Sequence, residues 1–219
     1  MLPAALVEAV RAAPRGVAAF DADGTLWRED IGEAFLRHLV RLGQVTLPDG
    51  RDPYAAYEEA VRRDKASGYA YCAQLQAGLE VDRLDAEARR LAAEWVPPRL
   101  IGATGELLEL CREVGHRVII VSASPVSIVR AAAPLVGVDE FRAMTTRIDG
   151  GRYTCEIVPP VTYGQGKIAA LGDVSLALAA GDSLTGDLAM LEKARVPVAV
   201  APGALADEAG RRGWFVVEA

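Results

Sequence analysis

The chain has too few cysteines for a disulfide framework and no spacing among them that would hold a metal. Cys72, Cys111 and Cys155 are odd in number and far apart, which fits small buried hydrophobes kept reduced in a cytosol. No apolar run is long enough to span a membrane. The first fourteen residues are alanine-rich, yet Glu8 and Arg11 interrupt them. A secretory leader needs an uninterrupted apolar stretch after a basic start, so a short amphipathic helix and a cytoplasmic location are expected instead. Positive charge is not in excess either. Lys and Arg total 24 against 30 acids, for a net charge of −6, and neither nucleic acid nor an anionic membrane is indicated as a partner. There is no internal repeat, no low-complexity linker, and no feature that fixes the oligomeric state.

What is present is an ordinary globular composition, 51% hydrophobic and 25% charged over 219 residues, enough for one large domain or a core with an insertion. Val17–Phe20 reads as a strand that runs into an acidic, glycine-containing turn. Residues 29–42 have helical spacing, with Ile31, Phe35, Leu36 and Leu39 on one face. From 54 to 95 the pattern stays helical without a convincing strand, until Pro97 and Pro98 interrupt it. The period then changes: helix 104–114, strand 117–121, helix 125–135, a hairpin over 141–157 turning at Asp149, Gly150 and Gly151, a short helix opening at Lys167, strand 174–180, helix 184–194, and strands at 196–200 and 214–217. Such alternation predicts an α/β fold, a Rossmann-like parallel sheet core covered on both faces. The strand-free block is expected as an inserted helical cap domain, 28–97, with a catalytic core over 1–27 and 98–219.

Ligands of open parallel sheets bind beyond the carboxyl ends of the strands. Those ends deliver Asp21, Asp23 and Thr25; then Ser122, Ala123 and Ser124; then Lys167; then Asp182, with Asp187 five positions on. Each piece alone is explicable as a turn, a cap or a surface charge. Together, each after an apolar strand, they place four carboxylates on one rim, where like charges raise pKa values. A divalent cation relieves that repulsion, and an all-oxygen site without histidine or cysteine favours Mg2+ over zinc.

The set resembles the haloacid dehalogenase (HAD) superfamily of phosphohydrolases, its phosphoserine phosphatase-like branch with a type-1 cap. Four motifs carry the likeness: Asp21 to Thr25, Ser122, Lys167, and Gly181-Asp182 with Asp187. The resemblance implies a Mg2+-dependent phosphomonoester phosphatase working through an aspartyl phosphate. Asp21 would be the nucleophile, Asp23 the acid and base, and Ser122 with the Ala123 N–H would hold phosphate oxygens. Lys167 would neutralise charge. Asp21, the Asp23 carbonyl and Asp182 would hold the metal, with Asp187 and Thr25 in support. The dehalogenase branch lacks the second aspartate, so dehalogenation is disfavoured. A phosphotransferase or mutase using the same intermediate remains open, as does a binding module retaining the fold. Lys65, the one lysine of the insertion that could form a Schiff base, sits in a charged run and reads as a solvated face.

The expected partner is a small phosphorylated metabolite, with amine-bearing compounds (phosphoserine-, phosphoethanolamine- or phosphocholine-like) among the options. In phosphoserine phosphatases a glutamate nine residues past the nucleophile binds the amine. Here that position is Asp30, with Glu29 beside it. Trp27, Tyr69, Tyr71 and Trp95 offer aromatic surface for a cationic head group, although packing among helices is the simpler role for them.

Overall fold

A computed structural model describes residues Met1–Ala219. After helix α1 (Ala4–Ala12), strand β1 (Val17–Phe20) enters the centre of a six-stranded sheet. The sheet's other members are β2 (Arg117–Pro125), β3 (Phe141–Met144), β6 (Leu176–Gly181), β7 (Val196–Ala201) and β8 (Phe215–Glu218), in the order β3-β2-β1-β6-β7-β8. All pairings are parallel. The chain winds outward from β1 in both directions, so the order reverses between β1 and β6. There two strand ends diverge and leave a crevice. β1 and β6 are buried at every position, as expected where helices cover both faces. Alternate residues divide between the two layers. Ala18, Phe20, Leu178 and Ala180 join one core; Val17, Ala19 and Ala179 join the other, against α8 (Gln165–Leu171), α9 (Leu188–Lys193) and α10 (Ala204–Arg212).

No strand of the sheet lies between β1 and β2. The chain there forms α2 (Ile31–Arg41), α3 (Pro53–Arg63), α4 (Lys65–Gln74) and α5 (Val81–Trp95), followed by α6 (Gly102–Glu113). Three of these starts are capped by aspartates: Asp30 accepts from Glu33 N at 2.8 Å, Asp52 from Tyr54 N at 3.1 Å and Asp64 from Ser67 N at 2.8 Å. The outgoing and returning chains are clasped, Arg28 N to Arg99 O at 2.9 Å and Ile101 N to Leu26 O at 3.0 Å. The helices bury Phe35, Tyr57, Leu84 and Ala88 in the same continuous apolar cluster as Phe20 before them and Ile120 and Ile128 after them in the chain.

Three expectations differ from what folds. The expected hairpin over 141–157 is two things. Phe141–Met144 is the edge strand of the parallel sheet, and only β4 (Thr146–Asp149) and β5 (Arg152–Ile157) form the antiparallel pair. A continuous β-type pattern does not reveal a change of partner within it. The hairpin bonds to the α4–α5 connection, with Gly78 N to Tyr153 O at 2.8 Å and Val81 N to Gly151 O at 3.0 Å. Second, β2 runs to Pro125, so the following helix, α7 (Val126–Ala132), starts later and is shorter. Third, α10 (Ala204–Arg212) has no counterpart among the expected elements: it is nine residues long, starts after Gly203 without a side-chain cap and contains Gly210.

Gly68 sets the approach of α4 to α3. A Cβ there would lie 2.5 Å from Val61 Cα and 2.6 Å from Val61 N. Gly68→Ala gains about 1 kcal/mol of helix propensity. The obstruction is backbone, however, and overpacking of this kind costs about 1–3 kcal/mol. A net loss of stability is expected, read in urea as a lower midpoint at unchanged slope.

Candidate active site

The crevice between β1 and β6 opens into a cleft of about 690 Å3. β1 ends at Phe20 and hands over Asp21, whose N–H remains in the sheet, bonded to Ala180 O at 2.9 Å. The chain then turns tightly. Gly24 takes φ +77°, and a Cβ on it would overlap the Asp182 carboxylate. Only glycine combines that backbone with that approach.

Lys167, on α8, is buried with its Nζ between two carboxylates, 2.5 Å from Asp21 Oδ1 and 2.6 Å from Asp187 Oδ1. Thr25 Oγ1 donates to the other Asp21 oxygen at 3.1 Å. Asp187 Oδ2 accepts from Ser183 N at 2.9 Å and Asp182 N at 3.2 Å, which ties the loop after β6 to the lysine. Burial pushes Asp21 well above the usual carboxylate range, with the Asp187 charge adding to it and Lys167 opposing it. Burial, then Asp187, pushes Asp182 up to about 6. Burial by itself would lower Lys167, but the Asp187 and Asp21 carboxylates outweigh it and hold the ammonium above the ordinary lysine range. The cleft is thus short of positive charge.

Asp21, Asp182 and Asp187 each offer a carboxylate oxygen within 4.8 Å of the others. An all-carboxylate group of this kind fits a hard divalent cation such as magnesium. The Asp23 carboxylate stands apart from that group. Its Oδ1 accepts from Trp27 Nε1 and Ile31 N, both at 2.8 Å, and its Oδ2 from Ser124 Oγ at 2.7 Å. Burial raises Asp23, and the Ile31, Ser124 and Trp27 donors pull against it. Ser122 is fully buried and its Oγ accepts from Ser124 N at 3.0 Å, while Ala123 and Ser124 face the cleft.

Beyond this cluster the cleft is lined by Glu29, Asp30, Lys65, Tyr69 and Tyr163. Glu29 adopts φ +66° and pairs with Arg99 at 3.1 Å. Asp30 caps α2, and burial followed by the neighbouring Asp23 charge pushes it well above the usual carboxylate range. Two expectations fail here. Trp27 is fully buried and serves Asp23, so it offers no surface to a substrate. Tyr71 packs against the apolar interior, and Tyr69 takes the cleft instead, because residues two apart point about 200° apart around a helix. Lys65, read as a solvated face, is exposed but stands at the cleft. Tyr163 was not singled out, and Ser124 was named only as a residue at its strand end, without a role. Tyr163 lies in a loop without motif, 5.4 Å from Tyr69 between ring centroids. Ser124 reads as strand-end punctuation until the fold brings Asp23 to it.

A sequence model of the haloacid dehalogenase-like hydrolase family matches residues 18–192. The chain belongs to that family. Among curated proteins, a probable phosphatase of Mycobacterium tuberculosis is 29% identical over 150 residues, 64% of this chain and 52% of the relative. The chain thus spans about half the length of that relative. Among solved structures, a protein of unknown function from Bordetella pertussis Tohama I superposes with a TM-score of 0.81 at 23% identity, over 93% of this chain and 98% of that one. A phosphoserine phosphatase of T. onnurineus gives 0.57 at 22% identity, over 93% and 89%. These structures share the fold of this HAD-family chain. No helix in it is long and apolar enough to cross a membrane.

Proposed function

We propose that this HAD-family chain is a phosphomonoester phosphatase working through an aspartyl phosphate on Asp21, with residues 28–97 as a cap over the cleft. The observation that carries the reading is Lys167, buried between Asp21 and Asp187 at 2.5 and 2.6 Å. A lysine so placed holds one Asp21 oxygen still and screens its charge against an incoming phosphate. Asp21 forms the new bond to phosphorus as the bond to the leaving oxygen breaks, and Asp23 gives that oxygen its proton. In the second half Asp23 takes a proton from water as water's oxygen bonds phosphorus, releasing phosphate and restoring Asp21. Ser122 and the Ala123 N–H are proposed to hold phosphate oxygens. The carboxylates of Asp21 and Asp182 with the Asp23 carbonyl would hold magnesium, supported by Asp187. When bound, magnesium supplies charge neutralisation on the phosphoryl oxygens.

The cleft also speaks to the leaving group. Its lining brings six carboxylates, Asp21, Asp23, Glu29, Asp30, Asp182 and Asp187, against the two ammonium groups of Lys65 and Lys167. Glu29 is paired with Arg99 at 3.1 Å, so away from the metal group and Asp23 the carboxyl that no basic side chain pairs is Asp30, near Tyr69. A small alcohol carrying an ammonium suits that end. Phosphate release is expected to be faster from phosphoethanolamine, phosphocholine or phosphoserine than from an uncharged alkyl phosphate. Asp30→Asn keeps the α2 cap and removes the charge. It should raise KM for the amine substrates about tenfold, the worth of one charged hydrogen bond. Equal KM changes on charged and uncharged substrates would remove Asp30 from recognition. Transfer of phosphate to an added alcohol in place of water would recast the enzyme as a phosphotransferase.

A further inference from the structure

We infer that Ser124 is a positioning residue that seats the transferable proton of Asp23 on Oδ2, facing the cleft. The inference rests on the phosphatase reading and on the two different sides of one carboxylate. Asp23 Oδ1 accepts from the Trp27 indole and from the Ile31 amide, each at 2.8 Å. Both groups only donate. A proton on Oδ1 would face two N–H groups and would have to displace one of them. Oδ2 meets a different kind of partner, the Ser124 hydroxyl at 2.7 Å. A hydroxyl donates or accepts by rotating about one bond. It donates to the ionised carboxylate, and when Oδ2 is protonated it can go on donating to the remaining lone pair, which leaves the proton toward the cleft, or rotate to accept. Oδ2 is therefore the oxygen on which a proton can come and go without orphaning a buried donor.

Ser124 has little freedom to do otherwise. It is 3% exposed. Its N–H is bound to Ser122 Oγ at 3.0 Å. A Cβ on Gly32, at the start of α2, would lie 2.6 Å from Ser124 Oγ, so the hydroxyl is walled on that side by a residue with no side chain. The start of α2 thus contributes twice, with the Ile31 amide on Oδ1 and the gap at Gly32 for the hydroxyl on Oδ2. Ser124 touches neither the phosphorus nor the leaving oxygen in this scheme; it acts through Asp23.

The consequence concerns leaving groups. In the first half-reaction the proton moves from Asp23 Oδ2 to the departing oxygen as the P–O bond breaks. Phenolate, with a conjugate acid near the tyrosine value of about 10, needs that proton. Nitrophenolate, whose conjugate acid is near neutrality, leaves without it. The value of kcat/KM reports the steps through this departure and is blind to the later hydrolysis of the intermediate. The test compares kcat/KM for phenyl phosphate and p-nitrophenyl phosphate in wild type, Ser124→Ala and Ser124→Thr. For Ser124→Ala, phenyl phosphate should lose about tenfold or more relative to p-nitrophenyl phosphate, a fraction of what general acids contribute. Ser124→Thr keeps the hydroxyl and should move the ratio back toward wild type, whatever its absolute rate. A residue that only packs the strand end would depress both substrates in proportion, and that result would overturn the role of Ser124 while leaving the phosphatase reading intact. A wild type that releases phosphate from neither aryl ester nor from phosphoethanolamine, phosphocholine or phosphoserine would overturn both.

Discussion

Asp21→Asn is expected to abolish turnover, by about four orders of magnitude or more, in a protein that remains folded. The scale is that of other enzymes deprived of a covalent nucleophile. The amide has the shape of the carboxylate, so the 2.9 Å bond from the residue 21 N–H to Ala180 O and the packing of β1 are not touched. What changes is that a neutral amide oxygen cannot attack phosphorus. Lys167 keeps Asp187 as a charged partner at 2.6 Å, so its buried ammonium is not left alone. That second partner is why the substitution should be tolerated structurally, whereas loss of one side of a simple buried pair costs about 3–5 kcal/mol. Two measurements check it: phosphate release from an amine-bearing phosphomonoester, and borohydride reduction of enzyme quenched during turnover, which would convert an acyl phosphate at residue 21 to homoserine. Turnover in Asp21→Asn at the wild-type rate, or reduction at another aspartate, would dismiss Asp21 as the nucleophile.

The aspartates, Lys167 and the parallel sheet were legible in the sequence because each strand is a short, almost uninterrupted apolar run. Val17–Phe20 and Leu176–Gly181 are buried throughout, and the residue that ends such a run stands at the rim by construction. The helical block was legible because Ile31, Phe35, Leu36 and Leu39 keep one face over three turns. What was not legible depends on side chains meeting across the fold. The Asp23 carboxylate is 101 residues from Ser124 in the chain, and nothing local announces that pair. Trp27 looked like an aromatic for a ligand, and only its burial shows that the indole N–H is spent on Asp23. The edge strand Phe141–Met144 escaped because its pattern continues without a break into the hairpin. On α4, Tyr69 and Tyr71 read alike in the sequence, and it is helical phase that lets Tyr69 alone line the cleft.

Magnesium is expected to stabilise the protein more at pH 8 than at pH 5, and mainly through Asp182. In the folded chain Asp182 is pushed up to about 6 by burial and by Asp187, against about 4 when unfolded. Between those values the native state binds more protons than the unfolded state, so unfolding free energy falls as pH rises. The contribution is whole below about pH 4 and is lost as pH rises through about 6. For Asp182 alone the loss is on the order of 2 kcal/mol, and Asp21 and Asp23, also raised by burial, act in the same direction. A cation that binds the ionised carboxylates of the folded state opposes this by mass action, by about 2.7 kcal/mol at a hundredfold excess over Kd. For a chain of this size each kcal/mol moves Tm by about 2–4 °C. Thermal unfolding with EDTA should therefore show this contribution lowering Tm from pH 5 to pH 8. Millimolar magnesium should raise Tm by several degrees at pH 8 and by clearly less at pH 5, where protons compete for the same oxygens. Asp182→Ala removes one ligand and the repulsion together, so its EDTA curve should depend less on pH and its magnesium shift should fall below about a third of the wild-type value. A magnesium shift of undiminished size in Asp182→Ala would place the cation elsewhere, and a shift equal at both pH values would mean that these carboxylates are not what it binds.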